Sequence, residues 1–274
     1  MTITCKGNLI DFETPKVMGI LNVTPDSFYE DSRDTSPDAL LKKAEVMLDE
    51  GATFLDVGGY SSRPGATDIS PDEELKRVLP ALEILLKNFP KALISVDTFR
   101  SMVAERSIEA GAVMVNDISA GNLDLEMMQV IARHQVPYIM MHMRGTPQTM
   151  KDLNSYGDVT QEVLFYFSER IKAARALGIN DLIIDPGFGF SKNTAQNFEL
   201  LSHLEMFEIL ELPLLAGLSR KSTIYKTLNC TPNDALNGTT VLNTFALTKG
   251  ADILRVHDVK EAMETVKLTA QLKN

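Results

Sequence analysis

Polar side chains close a series of short apolar runs in this chain: Asn22, Asp56, Asp97, Asn116, His142, Asp185, Ser219, Arg255 and His257. A polar group is costly inside a strand unless partnered, so an apolar-to-polar switch at the end of nearly every run is hard to explain by packing. Each residue alone has a structural reading. Asp56, Asp97 and Asp185 suit caps of the following turn, and Asn22 and Asn116 suit left-handed turn positions. His142, within MMHM, reads as a hydrogen-bonded core histidine rather than a ligand. Arg255 lies in ILRVHD on the same strand face as His257, where an unpaired buried charge would be expensive; function explains it better. Further cations stand in Ser61-Ser62-Arg63-Pro64-Gly65 and Ser219-Arg220-Lys221-Ser222. Arginine forks grip phosphate oxygens, and a histidine N–H adds another donor. Asp97, Asn116 and Asp185 offer the acceptors and donors that an amino-pyrimidinone edge needs, and Lys221 suits a ring carbonyl or nitrogen. Phe188 and Phe190, in DPGFGF, suit the walls of a flat ring, with glycines permitting close backbone approach. The chemistry these residues suit is a planar heterocycle and a phosphate group held in one pocket. No P-loop, dinucleotide fingerprint or zinc motif is present.

To converge, these residues need a frame that brings strand ends together. Candidate strands are Lys16–Val23, Thr53–Gly59, Ala92–Thr98, Val113–Ser119, Pro137–Met143, Asp181–Gly187, Pro213–Ser219 and Asp252–Asp258. They are apolar on both alternating faces, as in parallel sheets buried on both sides. Helical periodicity follows each one, over Pro37–Glu50, Pro71–Asn88, Ser101–Ala110, Asp124–His134, Asp158–Leu177, Ala195–Ile209, Asn233–Thr248 and Val259–Leu272. Ser36-Pro37 and Ser70-Pro71 place a capping hydroxyl before a first-turn proline. Gly51, Gly111, Gly178 and Gly250 each sit just past a helix, where a left-handed residue ends it. Eight strand–helix units predict an α/β fold, a (β/α)8 TIM barrel, with an open doubly wound sheet as the alternative. The polar strand ends would then share the C-terminal mouth, where such barrels build their sites. Residues 1–15 form an N-terminal extension, and Thr2–Phe12 reads as a hairpin closing the bottom. The even spacing of turn signals predicts one domain over residues 1–274.

The chain has 274 residues, 44% hydrophobic and 23% charged, with net charge −10. That balance excludes an extended disordered protein and argues against general affinity for nucleic acid or anionic membrane. No window approaches the roughly 18 apolar residues of a membrane helix, and the N-terminus has no secretory pattern. Cys5 and Cys230, the two cysteines, support neither a disulfide framework nor a cysteine zinc site. A cytoplasmic location is expected.

In combination the motifs resemble the dihydropteroate synthases, the folate-pathway enzymes targeted by sulfonamides. The resemblance rests on MGILNVTPDSF (18–28), GGYSSRPGA (58–66), SVDT (95–98), NDIS (116–119), MHMRGTPQTM (141–150), DPGFGF (185–190), GLSRKS (217–222) and ILRVHDV (253–259). It implies attack by the amine of para-aminobenzoate on the methylene of a dihydropterin methyl diphosphate, giving dihydropteroate and pyrophosphate. It further implies a homodimer using Mg2+. By this resemblance Asp97, Asn116, Asp185 and Lys221 would hold the pterin, beside the ring wall read above at Phe190. Arg255 would stack on its ring and, with His257, hold the phosphates. Asn22 would bind the metal. Ser62 and Arg63 would meet phosphates and aminobenzoate from a mobile loop, and Ser222 would contact the aminobenzoate carboxylate. Arg255, His257, Lys221 and Asp97 would carry the catalysis. Thr24–Phe28, with Asp26, resembles a first mobile loop. The family commonly reads GGESTRPG at the second loop; here Tyr60 replaces the acid and Ser62 the threonine. Serine keeps the hydroxyl, so binding is expected to persist, while Tyr60 bears on loop packing and sulfonamide response. A pterin-dependent methyltransferase would not need the cation cluster, and a non-catalytic pterin binder would not need every catalytic position.

Overall fold

Runs of Val, Ile, Leu and Met that are apolar on both faces form the inner wall of the molecule. A computed structural model describes residues 1–23, 37–63 and 65–273. Its parallel strands are β3 (Lys16–Asn22), β4 (Phe54–Gly58), β5 (Leu93–Asp97), β6 (Met114–Asp117), β7 (Tyr138–Met141), β8 (Leu182–Asp185), β9 (Leu215–Ala216) and β10 (Ile253–Val256). They form one eight-stranded sheet in the order β8-β7-β6-β5-β4-β3-β10-β9. A parallel bridge from Ile184 to Leu214 joins the two ends. The sheet is thereby nearly closed into the expected TIM barrel.

Helices cover the outside: α1 (Pro37–Asp49), α2 (Pro71–Asn88), α3 (Ser101–Glu109), α4 (Met127–His134), α5 (Val159–Ala176), α6 (Thr194–Ser202), α7 (Ser222–Thr227), α8 (Leu236–Thr248) and α9 (Val259–Ala270). The Ser70 side chain accepts from the Glu73 N–H, as expected of a cap before Pro71. Asn193 and Gln196 form a reciprocal capping box at α6. Gly51 and Gly111 adopt φ of +104° and +111°, the left-handed ends the sequence predicts. The Ser36 cap lies outside the described residues.

Several boundaries differ from expectation. The strands stop sooner, so His142, Ser219 and His257 stand just beyond them, in the loops. The helix expected over Ala195–Ile209 ends at Ser202 and gives way to a 3-10 segment, Leu204–Leu210. Its apolar residues Leu204, Phe207 and Leu210 recur every third position, the 3-10 period rather than the α period. The predicted helices at 124–134 and 233–248 begin at Met127 and Leu236.

Strand alternation sorts the side chains. Val17, Leu55, Val115, Met140, Ile184 and Leu254 belong to the apolar layer shared with the helices. Their neighbours Met18, Phe54, Met114, Ile139, Ile183 and Ile253 point inward and form a separate lower cluster. The N-terminal hairpin, β1 (Thr2–Cys5) paired antiparallel with β2 (Asn8–Asp11), caps that cluster with Ile3, Cys5 and Phe12, as expected. Burial, then nearby Asp181, pushes the Cys5 thiol up to about 12. Because side chains alternate with period two, the next inward position on β4, β6, β8 and β10 holds Asp56, Asn116, Asp185 and Arg255, while β3 and β7 carry Ile20 and Met141 there.

Candidate functional site

The register assembles the mouth. Asn22 pairs with Gly58, Gly58 with Asp97, and Asp97 with Asn116, one row across four strands. Gly58 keeps that row open: a Cβ there would lie 3.3 Å from the Asp97 Cβ and 3.7 Å from Asn22 Oδ1. Into this row β10 extends Arg255. Its Nε donates to Asp56 Oδ2 and its Nη2 to Asp97 Oδ2, both at 2.6 Å. Asn116 Nδ2 donates to the same Asp56 oxygen at 2.9 Å. The other Asp56 oxygen is buried without a hydrogen-bond partner among the described residues. Burial opposes the Arg255 charge, yet Asp56 and Asp97 outweigh it and push its pKa up. Burial raises the Asp97 pKa against the pull of Arg255, with Asp56 adding to the rise. The sequence reading set Asp56 among the polar strand ends at the mouth but gave it no role toward a ligand. Its signal was a carboxylate between Leu55 and Val57, in a strand otherwise apolar.

On the opposite arc, Asp185 Oδ1 accepts from the Gly187 N–H at 2.8 Å. Lys221 Nζ donates to the Phe188 carbonyl and lies 4.9 Å from the Phe190 ring centroid. Lys221 and Asp185 flank Gly217, where a Cβ would be 3.6 Å from Lys221 Nζ and 3.8 Å from Asp185 Oδ2. Burial lowers Lys221 to about 8, with Asp185 opposing. Burial raises Asp185, with Lys221 opposing. The charge of Arg255 acts on both groups and that of Asp97 on Lys221, so the two arcs lie near one another. Phe190 packs beside Ile118, Met141 and Met143. Phe188 does not wall the site as the sequence suggested: its ring is fully buried in the outer core, and only its carbonyl turns to Lys221.

His142 is the core histidine expected. Its Nδ1 lies 2.9 Å from the buried Lys192 Nζ, which also donates to the Gly187 and Phe190 carbonyls. Burial holds the Lys192 pKa well below its ordinary value. Nothing in GFSKN marks this lysine as buried.

His257 Nδ1 is 3.0 Å from Ser219 Oγ, which also accepts from the His257 backbone N–H at 3.2 Å. Burial, then Arg255 and Lys43, lowers its pKa to about 4. At neutral pH it therefore acts through an N–H rather than as a cation. Arg220 departs from expectation. It adopts φ +53° and turns from the mouth to pair through two nitrogens with Asp258, while also donating to the Pro232 and Asn233 carbonyls. Its burden is structural. A groove of about 470 Å³ opens beside His257, lined by Lys42, Lys43, Met47, Asp258 and Glu261 among others.

A family model described as pterin binding enzyme matches residues 18–257. The dihydropteroate synthase of Escherichia coli K12 is 42% identical over 270 residues, covering 98% of this chain and 95% of the relative. The Yersinia pestis dihydropteroate synthase, solved with a sulfonamide drug, superposes with a TM-score of 0.94 at 41% identity, over 100% of this chain and 99% of that one. The Xanthomonas albilineans dihydropteroate synthase, solved with 4-aminobenzoic acid, gives 0.92 at 39% identity, over 99% and 98%. The chain belongs to the dihydropteroate synthase family. Within that family assignment, the structure brings Asn22, Asp97, Asn116, Asp185, Phe190, Lys221, Arg255 and His257 to one mouth. Ser222 opens α7 directly after Lys221. Ser62 is half-buried and Arg63 exposed in the loop after β4. The first loop assigned by resemblance, Thr24–Phe28 with Asp26, lies outside the described residues. Tyr60 is buried and bonded to Gln148.

Among the described residues no group of three or more His, Cys, Asp or Glu side chains could hold a metal. Asn22 contributes one hard amide oxygen to the row. That donor fits Mg2+ arriving with phosphate oxygens and water, not a protein cage. Among the described residues no helix is long and apolar enough to cross a membrane.

Proposed function

We propose that this chain condenses para-aminobenzoate with (7,8-dihydropterin-6-yl)methyl diphosphate, giving 7,8-dihydropteroate and pyrophosphate for folate synthesis. The observation that carries the reading is the single mouth in which Asp97, Asn116, Asp185 and Lys221 surround a space reached by Arg255. A carboxylate accepts from adjacent ring N–H groups, Asn116 both donates and accepts, and Lys221 donates to a ring oxygen or nitrogen. Phe190 offers an apolar wall. The reaction is a transfer of the pterin methylene group, not of a methyl.

The aromatic amine is neutral near pH 7 and needs no strong base before attack. The barrier lies in breaking the carbon–oxygen bond to pyrophosphate. Arg255 and the His257 N–H stabilise the charge developing on the leaving group. The electron-rich pterin supports positive charge on the methylene, favouring a dissociative path. The amine nitrogen then bonds to that carbon and releases its proton. Ser62 and Arg63 meet the phosphates and the aminobenzoate, and Ser222 meets the aminobenzoate carboxylate. Mg2+, held by Asn22 with the diphosphate oxygens, would neutralise leaving-group charge.

A cytoplasmic homodimer is the state we propose. The free thiols of Cys5 and Cys230 support the reducing compartment. Val241 and Phe245, exposed one turn apart on α8, support an apolar contact between copies. Sedimentation tests the dimer. For the reaction, the test is pyrophosphate release from the pterin diphosphate in the presence and absence of para-aminobenzoate. Release that depends on the amine supports the synthase; tight pterin binding without release leaves only a pterin binder.

A further inference from the structure

We infer that Tyr60 is a positioning residue for the aminobenzoate half of the site, acting by fixing the base of the loop that carries Ser62 and Arg63. The inference rests on the reaction proposed above. Tyr60 is only 6% exposed, although it belongs to a surface loop. Three neighbours hold it. Its hydroxyl accepts from Gln148 Nε2 at 2.8 Å, which ties the loop after β4 to the loop after β7. Its ring meets Phe99 edge-on, with centroids 5.1 Å apart and planes at 87°. The Arg100 guanidinium carbon lies 5.0 Å from both ring centroids.

The same arginine anchors the far end of the loop. Arg100 donates to the Ile69 carbonyl, to Asp68 at 3.1 Å and to the fully buried Glu74 at 2.7 Å. Arg77 Nη1 holds the Gly59 carbonyl at 3.2 Å. Both limbs of the loop are thus tied to the barrel, at Gly59–Tyr60 and at Asp68–Ile69. Ser62 and Arg63 lie between the anchors, two and three residues from the Tyr60 hydroxyl bond. Phe99 packs with Phe190 around Ile118, Met141 and Met143. Tyr60 therefore connects the loop that carries Ser62 and Arg63, to which the proposed reaction assigns the aminobenzoate, to the wall that bears Phe190. Burial raises the Tyr60 pKa, so the hydroxyl stays protonated at neutral pH. The pterin contacts proposed above, Asp97, Asn116, Asp185 and Lys221, share no hydrogen bond with the Tyr60–Gln148 pair.

Tyr60→Phe removes the hydroxyl, with its interaction with Asp68, and keeps the ring; Gln148→Met removes the donor from the other side, with its longer bond to the Ala66 carbonyl at 3.5 Å. One hydrogen bond of ordinary strength corresponds to about a fivefold effect. Each variant is expected to raise the aminobenzoate KM about fivefold. The double variant is expected to rise by less than the product of the two single effects. The dissociation constant of the pterin diphosphate should stay at its wild-type value, and the unfolding midpoint should fall by no more than the loss of one such bond produces. Amide hydrogen exchange over residues 59–70 should accelerate in both variants. This readout does not depend on turnover, so a wild-type chain that releases no pyrophosphate defeats the proposed reaction while exchange still tests the link. An unchanged aminobenzoate KM, additive effects in the double variant, unchanged exchange, or a parallel loss of pterin affinity and stability each overturns the inference.

Discussion

Arg255 carries two burdens at once. It faces the space where a diphosphate would leave, and it is the counter-ion of Asp56 and Asp97. Removing one partner of a buried ion cluster leaves the others uncompensated, at a cost of about 3–5 kcal/mol. Arg255→Ala should therefore lower both turnover, by two or more orders of magnitude, and the urea midpoint. Wild-type turnover in that variant would remove Arg255 from the mechanism. Lys221 gives a pH signature. With its pKa lowered to about 8, its charge is lost as pH rises through 8. The profile of kcat/KM, which reports the free enzyme, should fall above about pH 8, and Lys221→Met should be slower and lack that limb. His257 gives a stability signature of known sign. Its folded pKa of about 4 lies below the unfolded value of about 6.5, so the unfolded chain binds more protons between them. Its contribution to stability is retained above pH 6.5 and lost as pH falls toward 4. The stability difference between wild type and His257→Asn, from urea titrations at pH 7 and pH 5, should shift against the wild type at pH 5.

Period-two alternation is the device that turns a list of polar residues into a site. The same inward face that carries Phe54, Met114, Ile183 and Ile253 at the bottom carries Asp56, Asn116, Asp185 and Arg255 two residues later. That pattern was legible in the sequence because strand faces follow from spacing alone. What was not legible depends on contacts between distant segments. Arg220 and Lys221 are adjacent cations, and nothing in SRKS says which one turns to Asp258 and which to Phe188. Lys192 becomes a buried clamp only because the loop at Gly187 folds back on His142. At Gly187, φ is +72° and a Cβ would stand 2.1 Å from the His142 carbonyl oxygen. Gly187→Ala should thus displace the loop bearing Phe190, destabilise the fold and abolish pterin binding, measured by calorimetry. At the other end of the barrel, Ile3→Ala should cost about 2–4 kcal/mol through the cavity it leaves. Its KM values should stay unchanged, because the hairpin packs against the bottom layer rather than the mouth.

Viewed as a whole, the barrel separates stability from chemistry along its axis. The hairpin and inward apolar residues fill one end, and the charged row fills the other. A chain of net charge −10 collects Lys221, Arg255 and the His257 N–H around that second end. This arrangement suits a small anion and repels a polyanion. The most direct measurement is a crystal structure with the pterin diphosphate and an unreactive aminobenzoate analogue. The ring is expected among Asp97, Asn116, Asp185 and Lys221, with its diphosphate directed toward Arg255, His257 and Asn22. A ring bound away from that row, for example in the groove lined by Lys42 and Glu261, would contradict the proposed site.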